Sequence, residues 1–249
     1  MRSLIYPAPE VPVGTPPPGF EEVVLNLDEG SQVIAWHRPV SQPVGRPAML
    51  FFHGNGENLE TMKWAGLYEQ LVPLRAPLLL VDYPGYGRST GQPSEESLKA
   101  AATAALRWTR ARYPGLAVVP SGWSLGAALA VYLAAEWPAE IDGIVVISPW
   151  TSLPAVANAH FPRFLVSAGL RERYDSLSLA PRIESPALVL HGSIDRIIPV
   201  DQGERIANSL ETVRWVPVDG AGHNDLLSFP EVWREIDNFV SALSSPPSV

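Results

Sequence analysis

The chain has 249 residues, of which 46% are hydrophobic, and a formal net charge of −8 at pH 7. This length suits one large domain with a sizeable core, and the negative charge argues against nucleic acid or an anionic membrane surface as the main partner. The sequence contains no cysteine, which excludes a disulfide, a thiolate nucleophile and a cysteine-based metal site. No apolar run approaches the roughly 18 residues of a membrane-spanning helix, and the first residues lack a signal-peptide core, so neither is predicted.

The chain begins with a proline-rich segment over residues 1–20. Prolines in such numbers favour extended backbone lying along a surface rather than a helix. Two strand-like runs follow, at 22–27 and 32–37, and the Asp-Glu-Gly-Ser turn between them is typical of a hairpin. We therefore predict that an antiparallel pair opens the sheet.

From residue 48 onward, short apolar runs alternate with helical patterns. The runs lie at 48–52, 78–81, 117–119, 144–147, 187–190 and 213–216. Runs of this length, hydrophobic on both faces and separated by helices, belong to a parallel sheet that is covered on both sides. The clearest helices are 95–112, which Ser94 can cap, and 230–243, which begins at a proline. The sequence thus predicts an α/β fold with a mostly parallel eight-stranded sheet, in a single domain over 21–245.

A Gly-x-Ser-x-Gly motif at residues 122–126 follows the third of these runs and opens an apolar helix. Such a turn lifts the hydroxyl of Ser124 above the sheet edge, and the helix N-terminus behind it favours developing negative charge. A motif that fixes only three residues can occur by chance in a chain of this length, so the motif alone is weak evidence. Its position between a strand and a helix predicts that Ser124 is a nucleophile in acyl transfer.

Ligands in parallel sheets bind at the carboxyl ends of the strands, and a His-Gly-Asn-Gly turn follows the run 48–52. We expect the backbone N–H groups of Asn55 and Leu125 to form an oxyanion hole, with each donor contributing roughly 3 kcal/mol. A plain strand-to-helix turn is one alternative interpretation of these glycines, and a dinucleotide-binding loop is another. The dinucleotide-binding loop is rejected because Leu59 stands where the third glycine would be required.

Asp195 follows the seventh predicted strand and His223 follows the eighth. With Ser124 they make the chain order Ser, Asp, His of a catalytic triad, in which the imidazole acts as base and the carboxylate orients it. Asp219 is the alternative acid, since it is close to His223 in sequence, but Asp195 is the better candidate. The other histidines fit the base role less well, and His191, at the end of a strand, is expected to be structural.

Four aromatic residues are candidates for contacts with a substrate, namely Trp123, Tyr83, Trp150 and Phe161. The last two belong to an insertion over about 149–184, where such folds build a cap. The cap is short, which predicts an open site and a preference for short to medium acyl chains.

The chain resembles the α/β-hydrolases, and within them the ABHD13/ABHD17/Bem46-like serine hydrolases, over most of its length. The matching motifs are Phe-His-Gly-Asn at 52–55, Asp-Tyr-Pro-Gly-Tyr-Gly-Arg-Ser-Thr-Gly-Gln-Pro-Ser-Glu at 82–95, Gly-Trp-Ser-Leu-Gly at 122–126, Leu-His-Gly-Ser-Ile-Asp at 190–195 and Gly-Ala-Gly-His-Asn-Asp at 220–225. The resemblance implies an esterase, lipase or acyl-protein thioesterase without cofactor. It also implies that Ser124, Asp195 and His223 are nucleophile, acid and base.

The expected function is that of a serine hydrolase of the EC 3.1 class, acting on a small acyl ester or thioester and requiring no metal or cofactor. A serine peptidase or amidase of the same fold, and a non-catalytic binding scaffold, are the alternatives. Relatives often carry an N-terminal membrane anchor or lipidated cysteines, which this sequence lacks, so a cytoplasmic location is expected. The oligomeric state and the natural substrate stay open.

Overall fold

The computed structural model describes residues 5–40 and 45–243, and within them eight strands form one sheet. The strands are β1 (Glu21–Asn26), β2 (Gln32–Arg38), β3 (Ala48–Phe52), β4 (Leu78–Val81), β5 (Val118–Trp123), β6 (Ile144–Ile147), β7 (Ala187–Gly192) and β8 (Val213–Val218). Their spatial order is β1-β2-β4-β3-β5-β6-β7-β8. Strand β2 pairs antiparallel with β1 and β4, and the other neighbours are parallel. The predicted sheet is confirmed.

Helices cover both faces of this sheet. They are α1 (Leu59–Trp64), α2 (Leu67–Leu71), α3 (Glu95–Arg112), α4 (Leu125–Glu136), α5 (Leu153–His160), α6 (Arg163–Gly169), α7 (Ser176–Leu179), α8 (Val200–Ala207) and α9 (Pro230–Ala242). Helix α3 has the predicted bounds, and the side chain of Ser94 accepts a hydrogen bond from the N–H of Ser97 at its start. Helix α9 ends one residue earlier than the sequence pattern indicates.

Strand β3 shows why the central runs are continuously apolar. All five of its residues are buried. Because successive side chains of a strand point to opposite faces, Leu50 and Phe52 enter one hydrophobic cluster while Met49 and Phe51 enter the other. Both faces of the sheet therefore contribute to the core, as expected for parallel strands between two layers of helices.

The insertion between β6 and β7 contains helices α5, α6 and α7. Ser152 caps α5 by accepting a hydrogen bond from the N–H of Ala155. The cap carries exposed aromatic and aliphatic side chains, among them Phe161, Phe164 and Leu165. Tyr174, at its far end, is buried instead and has a positive φ of 38°. The cap is thus anchored near the sheet and exposes its tip.

Residues 6–17 of the proline-rich segment form neither helix nor strand, and the segment contributes to the packing. Tyr6 and Val13 are buried. The Asn58 Nδ2 atom donates to the carbonyl oxygen of Val11 at 2.9 Å, and the N–H of Gly14 donates to Glu60 Oε2 at 3.0 Å. The start of helix α1 therefore holds the segment in place by hydrogen bonds.

No helix in the described part of the chain is long and apolar enough to cross a membrane. The division into a proline-rich segment over 1–20 and one domain over 21–245 stays a prediction. Residues 1–4 and 244–249, at its two ends, lie outside the described residues.

Candidate active site

Ser124 stands between the end of β5 and the start of α4, with φ 57° and ψ −112°. Its N–H donates to the carbonyl oxygen of Ile147 at 2.9 Å, which holds the strained turn against the neighbouring strand. A Cβ at Gly126 would overlap the carbonyl of Phe52, and a Cβ at Gly122 would overlap Gly126. The two glycines of the motif are therefore required by the close backbone approach, and together they hold the serine in this conformation.

The structure brings Ser124, His223 and Asp195 together from three separate strand ends. His223 Nε2 lies 3.1 Å from Ser124 Oγ, and His223 Nδ1 lies 2.7 Å from Asp195 Oδ2. All three residues are buried. The imidazole is thus positioned to accept the serine proton on one nitrogen while it donates to the carboxylate from the other.

Asp195 is the most extensively hydrogen-bonded member of this group. Its Oδ1 accepts from the N–H groups of Ile197 at 2.9 Å and Ile198 at 2.8 Å, and its Oδ2 also lies 3.4 Å from His191 Nε2. Burial acts to raise the pKa of Asp195, but the hydrogen bonds from His191, His223 and the backbone outweigh it. The pKa of this carboxyl is therefore held well below its usual range, and the group is ionised.

The alternative acid is placed elsewhere. Asp219 Oδ1 accepts a hydrogen bond from Ser193 Oγ at 3.3 Å and makes no hydrogen bond to His223. The ring of His223 packs instead against Trp123, with ring centroids 5.1 Å apart and planes inclined by 34°. Asp195 is therefore the carboxylate that can orient His223.

The predicted oxyanion turn lies beside Ser124. Asn55 and Leu125 both line the cavity into which the serine opens. The N–H of Gly54 donates to Glu57 Oε2 at 3.0 Å, and Gly56 has a positive φ of 80°, so the turn is shaped by a side-chain contact and by glycine. Burial raises the pKa of Glu57, although His53 and the Gly54 N–H act against this.

A buried polar cluster lies beneath that turn. His53 Nδ1 donates to the carbonyl oxygen of Gly54 at 2.8 Å, and His53 Nε2 lies 3.3 Å from Asp82 Oδ1, which accepts a hydrogen bond from the N–H of Leu59. The Tyr83 hydroxyl donates to the carbonyl oxygen of His53 at 2.6 Å. Tyr83 is fully buried and lines neither cavity described below, so its prediction as a substrate contact is wrong. Its side chain supports the turn.

Two neighbouring cavities open at this edge of the sheet. The first has a volume of about 230 Å³, and Ser124, His223, Trp123 and Trp150 are among its lining residues. The second, which we call the cap groove, has about 450 Å³ and is lined by Ile5, Asn55, Leu153, Val156, Ala157, His160, Phe161, Leu165, Val166, Gly169 and Leu170. Three of the four predicted substrate contacts therefore line a cavity, with Phe161 in the groove rather than beside the serine.

Comparison with known proteins identifies the family of this chain. Residues 47–169 match the profile described as alpha/beta hydrolase fold. An uncharacterised protein of Mycobacterium tuberculosis is 35% identical over 90% of this chain and 80% of its own length. The mouse alpha/beta hydrolase domain-containing protein 17C is 32% identical over 80% of this chain and 61% of that protein. The chain belongs to the α/β-hydrolase family.

A solved structure supports the same fold. An esterase of Pyrococcus furiosus superposes with a TM-score of 0.78 over 96% of this chain and 99% of its own, at 18% sequence identity. At that identity the likeness shows the fold alone. Together with the family match, it indicates that the chain is a hydrolase and leaves the bond that it cleaves to be inferred from the site.

Two features of this site are not predicted from the sequence. His191, expected to be a structural residue, approaches the carboxylate of Asp195. Ile5, from the proline-rich segment, lines both cavities. The sequence does contain a signal for Ile5, because Leu4, Ile5 and Tyr6 form a short apolar run before the prolines, which indicates burial. The run does not identify the residues against which it packs, because these are distant in sequence.

Proposed function

We propose that the protein is a serine hydrolase that cleaves carboxylic ester or thioester bonds through an acyl-enzyme on Ser124. The observation that carries the proposal is the position of His223, whose two ring nitrogens reach Ser124 Oγ at 3.1 Å and Asp195 Oδ2 at 2.7 Å. In this arrangement an imidazole can activate a serine while a carboxylate holds its tautomer. The apolar cavity beside Ser124 suits an acyl group.

In the first half of the reaction, His223 Nε2 takes the proton of Ser124 and Oγ attacks the carbonyl carbon. The carbonyl electron pair moves to oxygen and forms a tetrahedral intermediate. The intermediate collapses to the acyl-enzyme, and His223 gives the proton to the departing alkoxide or thiolate. Asp195 stays ionised throughout, consistent with its lowered pKa, and stabilises the imidazolium.

The oxyanion would be held by the N–H groups of Leu125 and Asn55. Leu125 is the first residue of α4, where N–H groups have no partner within the helix. Asn55 lies in the turn that Glu57 and Gly56 shape beside the same cavity. Each donor is expected to contribute roughly 3 kcal/mol to the stabilisation of the transition state. Water activated by His223 then hydrolyses the acyl-enzyme by the reverse sequence of proton transfers.

We expect short to medium acyl chains to be preferred, because the cavity at Ser124 is small, at about 230 Å³, and the cap is short. The test is a series of p-nitrophenyl esters from butyrate to palmitate. A maximum of kcat/KM between the two ends supports the expectation. A steady rise towards palmitate would contradict it.

The central experiment is labelling with a fluorophosphonate probe, read by intact mass. Wild type should gain one adduct, and Ser124→Ala should gain none. Ser148→Ala is the matched control, because Ser148 is also a buried serine with a positive φ, at the end of the neighbouring strand β6, and should be labelled as wild type. Folding of each variant is checked by circular dichroism.

The outcomes separate the candidate functions. One adduct on wild type that is lost only in Ser124→Ala, with turnover of esters or thioesters, supports the proposal. Labelling combined with turnover of anilides alone would favour a peptidase or amidase. Absence of labelling on folded wild type would overturn the hydrolase mechanism and favour a binding scaffold.

A further inference from the structure

The N-terminal segment forms part of the wall of the candidate active site. Ile5, at the start of the described chain, lines the cavity of Ser124 and also the cap groove. Three other residues line both cavities, namely Asn55, Leu153 and Val156. Of these four, Ile5 comes from the N-terminal segment, Asn55 from the oxyanion turn and the other two from helix α5. Ile5 therefore stands where the two cavities meet.

Hydrogen bonds hold the segment at this position from the side of the oxyanion turn. The Asn55 Nδ2 atom donates to the carbonyl oxygen of Ile5 at 2.6 Å. The Oδ1 atom of the same amide accepts from the Tyr86 hydroxyl at 2.8 Å, which fixes the orientation of the amide. The residue whose N–H is proposed to bind the oxyanion thus also binds the backbone beside the cavity.

A second attachment joins the segment to the cap. The hydroxyl groups of Tyr6 and Tyr174 are 2.9 Å apart, and both residues are almost fully buried. The Trp150 Nε1 atom donates to the carbonyl oxygen of Tyr174 at 3.2 Å, so the partner of Tyr6 is itself held. Burial raises the pKa of both tyrosines far above neutral, and the contact stays a bond between neutral hydroxyls.

The cap groove has the chemistry of a hydrocarbon site. Most of its lining side chains are aliphatic or aromatic, and Phe161 and Leu165 at its rim are more than half exposed, at 62% and 55%. The imidazole of His160 is hydrogen-bonded to the carbonyl oxygen of Ile197. Among the described residues, no side chain that lines the groove carries a carboxylate, a guanidinium or an ammonium group. A linear alkyl chain fits such a lining better than a polar group does.

We infer that Ile5 is a specificity-determining residue, which sets how far the acyl chain of a substrate extends from Ser124 into the cap groove. The inference rests on the proposed function and adds the substrate class, an ester or thioester of a linear fatty acid of medium length. With the carbonyl carbon at Ser124 Oγ, the chain runs past Ile5 between the segment and helix α5. The size of one side chain then decides which chain lengths are hydrolysed best.

The experiment measures kcat/KM for p-nitrophenyl octanoate relative to butyrate in wild type, Ile5→Ala and Ile5→Trp. Ile5→Ala, which removes side-chain volume, should raise this ratio about tenfold, and Ile5→Trp, which adds volume, should lower it about tenfold. Gain or loss of contacts with one or two methylene groups in an apolar pocket changes specificity by this order. Val24→Ala is the control, an exposed aliphatic residue on β1 outside both cavities, and should keep the wild-type ratio. Thermal denaturation verifies that the variants fold.

A binding measurement separates failure of this inference from failure of the proposed function. Octanoate and butyrate are titrated by calorimetry into Ser124→Ala alone and into Ser124→Ala combined with Ile5→Ala or with Ile5→Trp. If esters are hydrolysed but neither the kcat/KM ratio nor the binding of octanoate changes on substitution of Ile5, the inference is overturned while the function stands. If no ester is hydrolysed and octanoate binding still changes at least tenfold, the groove is supported and the hydrolase mechanism fails. If no ester is hydrolysed and octanoate does not bind, both the proposed function and this inference are overturned.

Discussion

The two sides of the cavity are built in different ways. On the side of the sheet, Ser124, Asp195 and His223 are buried, joined by hydrogen bonds and supported by glycines that no larger residue could replace. On the side of the cap, the lining of the cap groove is mostly apolar, and Phe161 and Leu165 remain 62% and 55% exposed. We call these the catalytic side and the acyl side.

The difference matches what each side would do in the proposed reaction. Proton transfer requires hydrogen-bond distances, so the catalytic side is held by directional contacts with little freedom. An acyl chain is bound by non-directional apolar contact, which tolerates exchange of one side chain for another of similar size. Substitutions on the catalytic side should therefore abolish activity or folding, whereas those on the acyl side should change selectivity.

The largest expected effect is that of Asp195→Asn. The amide cannot hold His223 in the tautomer that accepts the serine proton, so kcat should fall by roughly 10⁴-fold with the fold retained. Asp219→Asn is the matched control and should keep kcat near wild type, because Asp219 contacts Ser193 and not His223. Steady-state ester hydrolysis measures both. The opposite ranking of the two variants would assign the acid role to Asp219.

A pair of glycine variants compares the packing of the two sides. Gly126→Ala would force a Cβ into the carbonyl of Phe52 and should lower the free energy of unfolding by about 3 kcal/mol or more. Gly169→Ala, on helix α6 of the cap, meets no atom within 4 Å and should change it by less than about 1 kcal/mol. Urea denaturation gives both values. Equal changes in the free energy of unfolding for the two variants would contradict the proposed difference in packing between the two sides.

Acid denaturation should also depend on the catalytic side. The folded-state pKa of Asp195 lies well below the value of about 3.9 in an unfolded chain. Its contribution to stability is therefore fully present above that value and is lost as the pH falls through the lower, folded-state pKa. The free energy of unfolding should decrease more steeply below about pH 4 in wild type than in Asp195→Asn. If the free energy of unfolding had the same pH dependence in the two proteins, the hydrogen bonds would not lower the pKa of Asp195 in the folded state.

A smaller effect is expected at His191, which acts through Asp195. The His191 Nε2 atom contacts the carbonyl oxygen of Ile198 at 2.9 Å and lies 3.4 Å from Asp195 Oδ2. His191→Leu removes this donor and should lower kcat about tenfold at unchanged KM. The acid limb of the kcat/KM profile should move to higher pH, because the carboxylate then attracts the His223 proton more strongly.

The conservative variant distinguishes positioning from packing at this site. His191→Gln keeps an N–H donor near the same place and should restore most of kcat and the wild-type pH profile. If both variants lower the melting temperature but leave kcat and the pH profile unchanged, His191 is a packing residue only.

The same contrast explains how much could be predicted from the sequence. Four site residues each follow closely after a strand, in turns that glycines mark, namely Ser124, Asn55, Asp195 and His223. Because ligands bind at the carboxyl ends of such strands, their common position at one edge of the sheet could be predicted. Their geometry is as expected, while their catalytic roles stay proposals. The acyl side lacks such a pattern.

Contacts on the acyl side depend on packing between distant parts of the chain. Tyr6 and Tyr174 are separated by 168 residues, and no periodicity connects them. The error at Tyr83 has a related cause. A tyrosine after a strand can point into the cavity or beneath the turn. Tyr83 lies beneath the turn, where its hydroxyl donates a hydrogen bond to the carbonyl oxygen of His53.

The smallest effect concerns the attachment of the N-terminal segment to the cap. Tyr6→Phe and Tyr174→Phe each leave one buried hydroxyl without its partner, and each should lower the free energy of unfolding by about 1–2 kcal/mol. The double variant should cost less than the sum, with a coupling energy of about 1 kcal/mol, because the second substitution removes a hydroxyl that is already unpaired. Urea denaturation of the four proteins gives this cycle. Strict additivity would mean that the two hydroxyls do not interact, and that the other contacts of the segment attach it without a contribution from this pair.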